Sequence, residues 1–248
     1  VDAIRKRWDE FSGDFLRFDP IMEQSWSVML ARLELGTATS VLEVGCGRGS
    51  CAQAIASSIR HGAKFMATDL SPAMVKVARG QLPGLVRVEI ANALDLSPLV
   101  ATASVDRYIA NMSLHIVPDP DAMLRESRRV LTENGIATFS VWGNAETSVM
   151  MSLKPGNENN PHFDVGRNPA ALRARVQKAG FTKVIMWRQQ CVLELWDARR
   201  AADFWAKLEG RPYEDNRDWF DETTALFQTA LDKGIPIGLE ALIILARP

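Results

Sequence analysis

Short apolar runs alternate with segments of helical spacing through the middle of the chain. The runs that predict strands are 41–44, 64–68, 86–90, 105–110 and 136–141. Between them, residues 49–60, 73–79 and 119–131 carry apolar positions and terminal residues typical of helices. Strands that alternate with helices favour a parallel sheet covered on both faces and joined by right-handed crossovers. The pattern therefore predicts a doubly wound α/β fold.

Three boundaries of this pattern can be read from single residues. Ser71 suits a helix N-cap, and Pro72 suits the first helical position after it. Asn134-Gly135 predicts a turn into the fifth strand. Gly180 suits the position just after the end of a helix at 169–179.

The segments on either side of the middle region follow other patterns. Two helices are predicted at about 2–16 and 20–35, divided at Asp19-Pro20. Residues 143–168 are rich in Asn, Pro and Gly and predict a long loop, an active-site lid, with Met150 and Met151 exposed. The remaining predicted elements are strands at 183–195 and 238–246 and helices at 198–208 and 218–233. We expect one domain over 1–248, with an N-terminal helical cap (1–37), a ligand-binding core (38–143) and a segment that shapes a substrate site (144–248).

Composition and charge narrow the class of protein. The formal net charge is -1, and Lys and Arg are scattered, so we expect no nucleic-acid partner. The three cysteines, Cys46, Cys51 and Cys191, lack zinc-site spacing, which favours a reducing, cytoplasmic location and no metal site. No apolar run reaches the roughly 18 residues of a membrane span. Monomer and homodimer both stay open.

The segment Val41–Gly49 has the most direct chemical meaning. A short apolar strand leads into Gly45, Gly47 and Gly49, with a helix opening near Ser50. Glycine reaches positive φ without a steric penalty and lets main-chain N–H groups approach a ligand closely. Helix-terminal amides suit a polar or anionic group. The turn predicts a nucleotide or nucleoside site, although a simple tight connection has the same sequence.

Polar residues stand at the ends of the next three strands. Asp69 follows the second strand, and its two oxygens suit the vicinal hydroxyls of a ribose. Asn92 follows the third strand, where an amide can pair with the edge of a base. Asn111, Met112 and Ser113 follow the fourth. Because ligands of such sheets bind outside the carboxyl ends of the strands, these residues are predicted to share one site.

Four segments together resemble the class I S-adenosylmethionine-dependent methyltransferases. They are Glu43-x-Gly45-x-Gly47-x-Gly49, Thr68-Asp69-Leu70-Ser71-Pro72-x-Met74, Leu114-His115-x-Val117-x-Asp119-Pro120 and Arg129-Val130-Leu131. Within that class the chain is most similar to the small-molecule branch that includes the ubiquinone and menaquinone biosynthesis methyltransferases. The resemblance implies a Rossmann-like, mostly parallel sheet of seven strands whose last strand is antiparallel.

The resemblance also implies a reaction. S-adenosylmethionine would be the cofactor and S-adenosylhomocysteine its product, with the methyl group moved by in-line displacement to oxygen, nitrogen, carbon or arsenic. The small-molecule acceptor would lie between the N-terminal helices and residues 144–233. Such a displacement depends on alignment and water exclusion, so no catalytic triad is expected.

Residue roles follow from the resemblance by position. Gly45, Cys46 and Gly47 would face the methionine part of the cofactor, Cys46 mainly through its backbone, and Glu43 would hold the turn and meet the ammonium group. Asp69 would bind the ribose, and Leu70 and Met74 would enclose the adenine. Asn92 and Ala93 would contact the edge of the adenine. The Asn111 carbonyl would meet the methionyl amine, and Ser113 would lie near the sulfonium. Gly49, Leu94 and Met112 complete the expected cofactor-binding set.

Several of these residues also have purely structural interpretations. Leu70 and Met74 fit a core equally well, and the buried Glu43 needs a partner, for which the amides of the turn would suffice. His115 is a weak candidate base, against a structural role through Asp119 or a carbonyl. Weak candidates for the cap or the substrate site are Trp8 and Phe11, in an aromatic stripe with Phe15 and Phe18, together with Trp142 and His162.

Two other classes of function remain as alternatives. Gly45-x-Gly47 followed by Asp69 also fits an NAD(P)-dependent oxidoreductase, although Ser50 stands where that fingerprint has a third glycine or alanine. A non-catalytic S-adenosylmethionine-binding protein would keep the same residues.

Overall fold

One sheet of seven strands forms the centre of the molecule in a computed structural model, which describes residues 1–13, 15–152 and 159–248. The strands are β1 (Ser40–Val44), β2 (Lys64–Asp69), β3 (Val86–Ile90), β4 (Val105–Ala110), β5 (Leu131–Trp142), β6 (Lys183–Glu194) and β7 (Ile237–Arg247). All seven coincide with strands predicted from the hydrophobic pattern, and the largest difference is at β5, which begins at Leu131 rather than at residue 136.

The strand order is β3-β2-β1-β4-β5-β7-β6. The first five strands pair in parallel, whereas β7 lies antiparallel between β5 and β6. The order of strands reverses between β1 and β4, so the carboxyl ends of these strands border the crevice where such sheets bind ligands. The predicted fold class, including the antiparallel last strand, is confirmed.

Helices cover both faces of the sheet. They are α1 (Asp2–Phe11), α2 (Asp19–Leu30), α3 (Ser50–Ser58), α4 (Pro72–Gln81), α5 (Pro120–Val130), α6 (Val149–Ser152), α7 (Asp164–Arg167), α8 (Pro169–Lys178), α9 (Ala198–Leu208) and α10 (Arg217–Asp232). The predicted cap at Ser71 is present, since its side chain accepts the N–H of Met74 at 3.1 Å. Gly180 has φ +104°, as expected just after α8.

Alternate residues of each central strand pack on opposite faces of the sheet. Val41 and Ile109 lie in one apolar cluster with Ile21 of α2 and Ile55 of α3. The other cluster contains Leu42 and Tyr108 of the same strands with Leu124 and Phe139. This two-sided burial explains why apolar residues of β1 and β4 face both sides of the sheet.

Three predicted boundaries differ from the structure. The first predicted helix is shorter, and a separate 3-10 turn, Phe15–Phe18, precedes α2, which ends at Leu30 rather than near residue 35. Asn134-Gly135 does not precede the fifth strand but lies within β5. The pairing of β5 with β4 is irregular between Val105 and Arg107, and this irregularity accommodates the extra residues.

The predicted loop at 143–168 contains more regular structure than expected. Its described parts include α6, the 3-10 turn Pro161–Phe163 and α7, while residues 153–158 lie outside the described residues. Met150 is fully buried and Met151 is half-buried, so the expectation that both are exposed was wrong. Short helices here turn the apolar side chains inward toward the sheet. The division of the chain into a cap, a core and a third segment stays a prediction.

Candidate active site

The glycine turn between β1 and α3 adopts the left-handed backbone geometry that its sequence predicts. Gly45, Gly47 and Gly49 have φ of +76°, +53° and +99°, a region that side-chain-bearing residues rarely adopt. A Cβ at Gly45 would also overlap the Oγ of Ser113. Glycine at position 45 is therefore required by both the backbone conformation and the close approach of the loop after β4.

The amides of this turn bind the end of β2. The N–H groups of Gly45 and Cys46 donate to the Thr68 carbonyl at 2.8 and 2.9 Å, and the N–H of Gly47 donates to Asp69 Oδ2 at 2.8 Å. These bonds fix the turn against the strand that carries the predicted ribose ligand. The turn is thus held in shape by the protein itself.

Glu43 lies buried below the turn, and its partner is not the one predicted. Because the turn amides donate to Thr68 and Asp69, the carboxyl group is left with a hydrogen bond from the Cys51 thiol. Its Oε2 has no hydrogen-bond partner among the described residues. Burial raises the pKa of Glu43 to about 7, the Cys51 hydrogen bond opposes the shift, and the nearby charge of Asp69 adds to it. A buried carboxyl group with a free oxygen is a natural site for a ligand cation.

Asp69 is held in a fixed orientation at the end of β2. Its Oδ2 accepts the Gly47 N–H, and its Oδ1 accepts the Ser71 N–H at 2.9 Å. Burial raises the pKa of Asp69, while these backbone hydrogen bonds oppose the shift. Each carboxylate oxygen can accept a further hydrogen bond, so two ligand hydroxyls can still be bound.

The residues that follow β3 and β4 also face this region, and some of their side chains already form hydrogen bonds within the protein. Asn92 Oδ1 accepts the N–H of Leu94 at 3.1 Å, which shapes a tight turn. Asn111 Oδ1 accepts hydrogen bonds from Ser25 and Ser140 at 2.8 and 2.7 Å, so its side chain ties β4 to α2 and β5. The Ser113 Oγ donates to the Asn111 carbonyl at 3.0 Å.

One cavity of about 280 Å³ connects these groups, close to the lower limit of typical small-molecule pockets. Most of the predicted cofactor residues line it: Glu43, Gly45, Cys46, Gly47, Asp69, Leu70, Met74, Asn92, Ala93, Asn111, Met112 and Ser113. Gly49 and Leu94 do not. Gly49 packs toward Leu82 and Ala78, and Leu94 packs on the apolar cluster beneath the sheet.

The predicted aromatic stripe lines the same cavity. Trp8, Phe11, Phe15 and Phe18 contact one another with ring centroids 5.8–6.3 Å apart. Asp9 of α1 accepts hydrogen bonds from Ser71 Oγ at 2.5 Å and the Ala73 N–H at 3.1 Å, which anchors this helix beside the end of β2. The N-terminal helices therefore cover the cavity as well as packing with each other.

His115, Trp142 and His162 form a second part of the wall, which we call the ring cluster. The centroid of the His115 ring lies 5.3 Å from the ring centroid of Trp142 and 5.7 Å from that of His162. Neither ring nitrogen of the buried His115 has a hydrogen-bond partner in the described part of the chain, and burial lowers its pKa to about 3. The side-chain hydrogen bond suggested for His115, to Asp119 or to a carbonyl, is absent from the described residues, and Asp119 caps α5 through the Ala122 N–H instead. His162 is only half-exposed, with its Nδ1 3.2 Å from the His115 carbonyl.

Some lining residues were missed by the sequence interpretation. They include Asp19, Met22 and Trp26 around α2, Met150 and Met151 of α6, and Leu239 of β7. Apart from Asp19, these are apolar side chains, which a single sequence does not distinguish from core residues. Of the predicted acceptor segment 144–233, the described residues that line the cavity are Met150, Met151 and His162.

No helix among residues 1–13, 15–152 and 159–248 is both long and apolar enough to cross a membrane. The described side chains also contain no group of three or more His, Cys, Asp or Glu placed to hold a metal ion.

The known proteins to which this chain is similar are methyltransferases. Residues 42–139 match the family model described as a methyltransferase domain. Trans-aconitate 2-methyltransferase of Methylobacterium nodulans is 26% identical, over 97% of this chain and 95% of the relative. Ubiquinone biosynthesis O-methyltransferase of Xanthomonas oryzae pv. oryzae is 35% identical over 138 residues, 54% of this chain and 55% of the relative. Phosphoethanolamine N-methyltransferase 2 of Haemonchus contortus, solved with S-adenosyl-L-methionine, superposes with a TM-score of 0.67 at 16% identity, over 100% of this chain and 60% of the other.

The strand order and the glycine turn, taken with these matches, support a class I S-adenosylmethionine-dependent methyltransferase of the small-molecule type, as the four sequence motifs predicted.

Proposed function

We propose that this methyltransferase binds S-adenosylmethionine through the glycine turn, Glu43 and Asp69 and methylates a small organic acceptor held against the ring cluster. The observation that carries the proposal is the free oxygen of the buried Glu43, which lies in the wall of the cavity. A cation there would satisfy this oxygen, and the bare glycine backbone leaves room for the ligand beside it.

Each residue of the cofactor site has a specific task in this proposal. Glu43 meets the ammonium group, and Asp69 binds the ribose hydroxyls with its remaining lone pairs. Leu70 and Met74 enclose the adenine, whose edge faces Asn92 and Ala93. When bound, S-adenosylmethionine supplies an electrophilic methyl group on its sulfonium. The protein contributes alignment and the exclusion of water by the aromatic cap.

Oxygen is the acceptor atom that the relatives favour. One of them is named as a ubiquinone biosynthesis O-methyltransferase and another as a malonyl-[acyl-carrier protein] O-methyltransferase. A third acts, by its name, on trans-aconitate. These acceptors differ widely in charge and size, so the relatives support a class of reaction without selecting one acceptor.

The strand order favours a methyltransferase over an NAD(P)-dependent oxidoreductase. Dinucleotide-binding folds have the order 3-2-1-4-5-6 with parallel strands, whereas here an antiparallel β7 is inserted between β5 and β6. We therefore expect no NADH binding. A non-catalytic S-adenosylmethionine-binding protein would differ from the proposed methyltransferase only in lacking turnover.

The decisive test is calorimetric titration of the Asp69→Ala variant with S-adenosylhomocysteine. We expect affinity to fall at least about 100-fold, because two hydrogen bonds to a charged acceptor are lost. Asp95→Ala is the control, since Asp95 is exposed and outside the cavity wall. Equal affinity in wild type and Asp69→Ala contradicts the site. Binding of NADH instead of S-adenosylhomocysteine contradicts the class of cofactor, and tight cofactor binding without turnover on any acceptor favours the non-catalytic protein.

The cellular setting belongs to the same proposal. All three cysteines are buried and unpaired, which is consistent with a reducing cytoplasmic compartment. Small acceptors, rather than nucleic acid, fit a cavity of about 280 Å³ and the net charge of -1. Monomer and homodimer stay equally open.

A further inference from the structure

The turn that follows β4, residues 111–113, has an unusual backbone conformation. Met112 has φ +51°, and among the non-glycine residues with positive φ in the described ranges it is the one that borders the cavity. Residues with a side chain rarely adopt this conformation, and it persists where surrounding groups hold it in place. The groups that hold Met112 therefore determine the shape of this part of the cavity wall.

The hydroxyl group of Ser140 on β5 holds this turn. The paired register of β4 and β5 ends at Ala110 and Phe139. Just beyond it, the Met112 N–H donates to Ser140 Oγ at 2.8 Å, and this hydroxyl donates its one proton to Asn111 Oδ1 at 2.7 Å. Ser140 is completely buried, so removing its hydroxyl takes from the Met112 N–H the acceptor that it has in the protein.

A second hydroxyl group, that of the buried Ser25, supports the same turn from α2. It donates to Asn111 Oδ1 at 2.8 Å. The Met22 carbonyl lies equally near, at 2.8 Å, but a carbonyl inside a helix can accept the amide four residues further on, which leaves the single proton of Ser25 for Asn111. Met22 and Trp26 of the same helix line the cavity. Ser25 therefore joins the helix that covers the cavity to the turn after β4.

The turn after β4 also contacts the glycine turn. Ser113 Oγ lies 3.0 Å from the Asn111 carbonyl oxygen and 3.4 Å from that of Val44, and it is the atom that a Cβ at Gly45 would overlap. The Asn111 carbonyl is therefore at the same end of the cavity as Glu43, where the proposed function places the ammonium group of the cofactor. A carbonyl oxygen has two lone pairs, so it can accept from Ser113 and from an ammonium group together.

We propose that Ser25 and Ser140 are positioning residues for the methyl donor, and that they hold the turn at 111–113 so that its main chain accepts a hydrogen bond from the cofactor's ammonium group. Neither serine is among the described residues of the cavity wall, so both act through Asn111 and Met112. This proposal rests on the proposed function, because it concerns the cofactor of the same cavity.

A purely structural role for the two serines leads to a different expectation. If their hydroxyl groups serve only the stability of the fold, replacing them lowers the free energy of unfolding and leaves the ligand affinity of the folded protein unchanged. A positioning role instead lowers affinity, because the folded protein must restore the shape of the turn when it binds. The loss is then confined to ligands that carry the ammonium group.

The test measures the affinity of the folded protein for two probes by calorimetry. S-adenosylhomocysteine carries the ammonium group, whereas methylthioadenosine keeps the adenosine and the sulfur but lacks the amino-acid part. Ser140→Ala should weaken S-adenosylhomocysteine about tenfold and methylthioadenosine less than about twofold. Ser25→Ala, which leaves the Met112 N–H bonded, should weaken S-adenosylhomocysteine about threefold and carries the test if Ser140→Ala does not fold.

The matched control is Ser127→Ala. Ser127 is also completely buried, but its hydroxyl donates to the Leu124 carbonyl within α5 at 2.7 Å, and it is not among the described residues of the cavity wall. Its replacement should leave the affinity for both probes unchanged. Circular dichroism before each titration establishes that every variant is folded.

The outcomes separate this inference from the proposed function. If wild type does not bind S-adenosylhomocysteine, the proposed function fails, and this inference fails with it. If wild type binds it and both serine variants bind it equally well, only the inference is overturned. Equal weakening of the two probes by Ser140→Ala overturns it as well, because the site would then be distorted generally rather than at the contact with the ammonium group.

Discussion

The glycine-turn wall and the ring cluster of one cavity are built on different principles. Around Gly45 and Asp69, ligand-facing groups are fixed by backbone hydrogen bonds between neighbouring strands of the sheet. Around His115 and Trp142, the wall consists of rings contributed by segments far apart in sequence. The first wall suits a constant ligand with many polar groups, and the second suits a ligand that differs between related enzymes. Changes that affect one wall should leave the other intact.

The largest effect is expected from Glu240, which supports the segment next to Trp142. This buried carboxylate accepts the Asn144 N–H at 2.9 Å and the Thr147 hydroxyl at 2.8 Å, and it pairs with Arg188. Glu240→Ala leaves these donors unpaired, so we expect the free energy of unfolding to fall by about 3 kcal/mol. Urea denaturation measures this loss.

The control for that variant is Glu133→Ala, which removes an exposed ion pair with Arg128 and should cost less than about 1 kcal/mol. At temperatures where Glu240→Ala remains folded, its affinity for S-adenosylhomocysteine should match that of wild type. A large loss of cofactor affinity with unchanged stability would show that the two walls are not independent.

A smaller effect, on the glycine-turn wall rather than on the ring cluster, is expected from Gly45→Ala. The new Cβ meets Ser113 Oγ at a φ of +76°, so the turn must shift away from its ligand-binding shape. We expect S-adenosylhomocysteine affinity to fall roughly 10- to 100-fold, equivalent to about 1.4–2.7 kcal/mol. Calorimetry should show no such change for Gly84→Ala, where the added methyl group meets open space.

The aromatic cap should contribute less than either wall. Phe11→Ala removes ring contacts with Trp8, Phe15 and Phe18, each worth about 0.5–1.5 kcal/mol. We expect a roughly three- to tenfold loss of cofactor affinity. Leu226→Ala, a half-exposed side chain on α10 outside the cavity wall, serves as the matched control. Equal affinities in the two variants would mean that α1 packs beside the cavity without closing it.

The same contrast explains what sequence could predict. Strand ends and the glycine turn are local features, so Asp69, Asn92 and Asn111 could be assigned to one site by the rule that parallel strands end together. The parts of the wall formed by Met22, Met150 and Leu239 depend on tertiary packing, and no single sequence distinguishes them from core residues. The wrong partner for Glu43 has a similar cause, because the turn amides were already committed to Thr68 and Asp69.

The most direct test of the central claim, that the buried Glu43 carboxyl receives the cofactor's cation, is the proton count on binding S-adenosylhomocysteine. With a pKa of about 7, Glu43 is mostly protonated at pH 6 in the free protein, and a nearby ammonium group lowers that pKa. Calorimetry at pH 6 in buffers of different ionisation enthalpy should therefore show release of up to about one proton, with affinity rising toward pH 7 and level above it. Glu43→Gln should release correspondingly fewer protons. Equal proton release by wild type and Glu43→Gln would contradict the account.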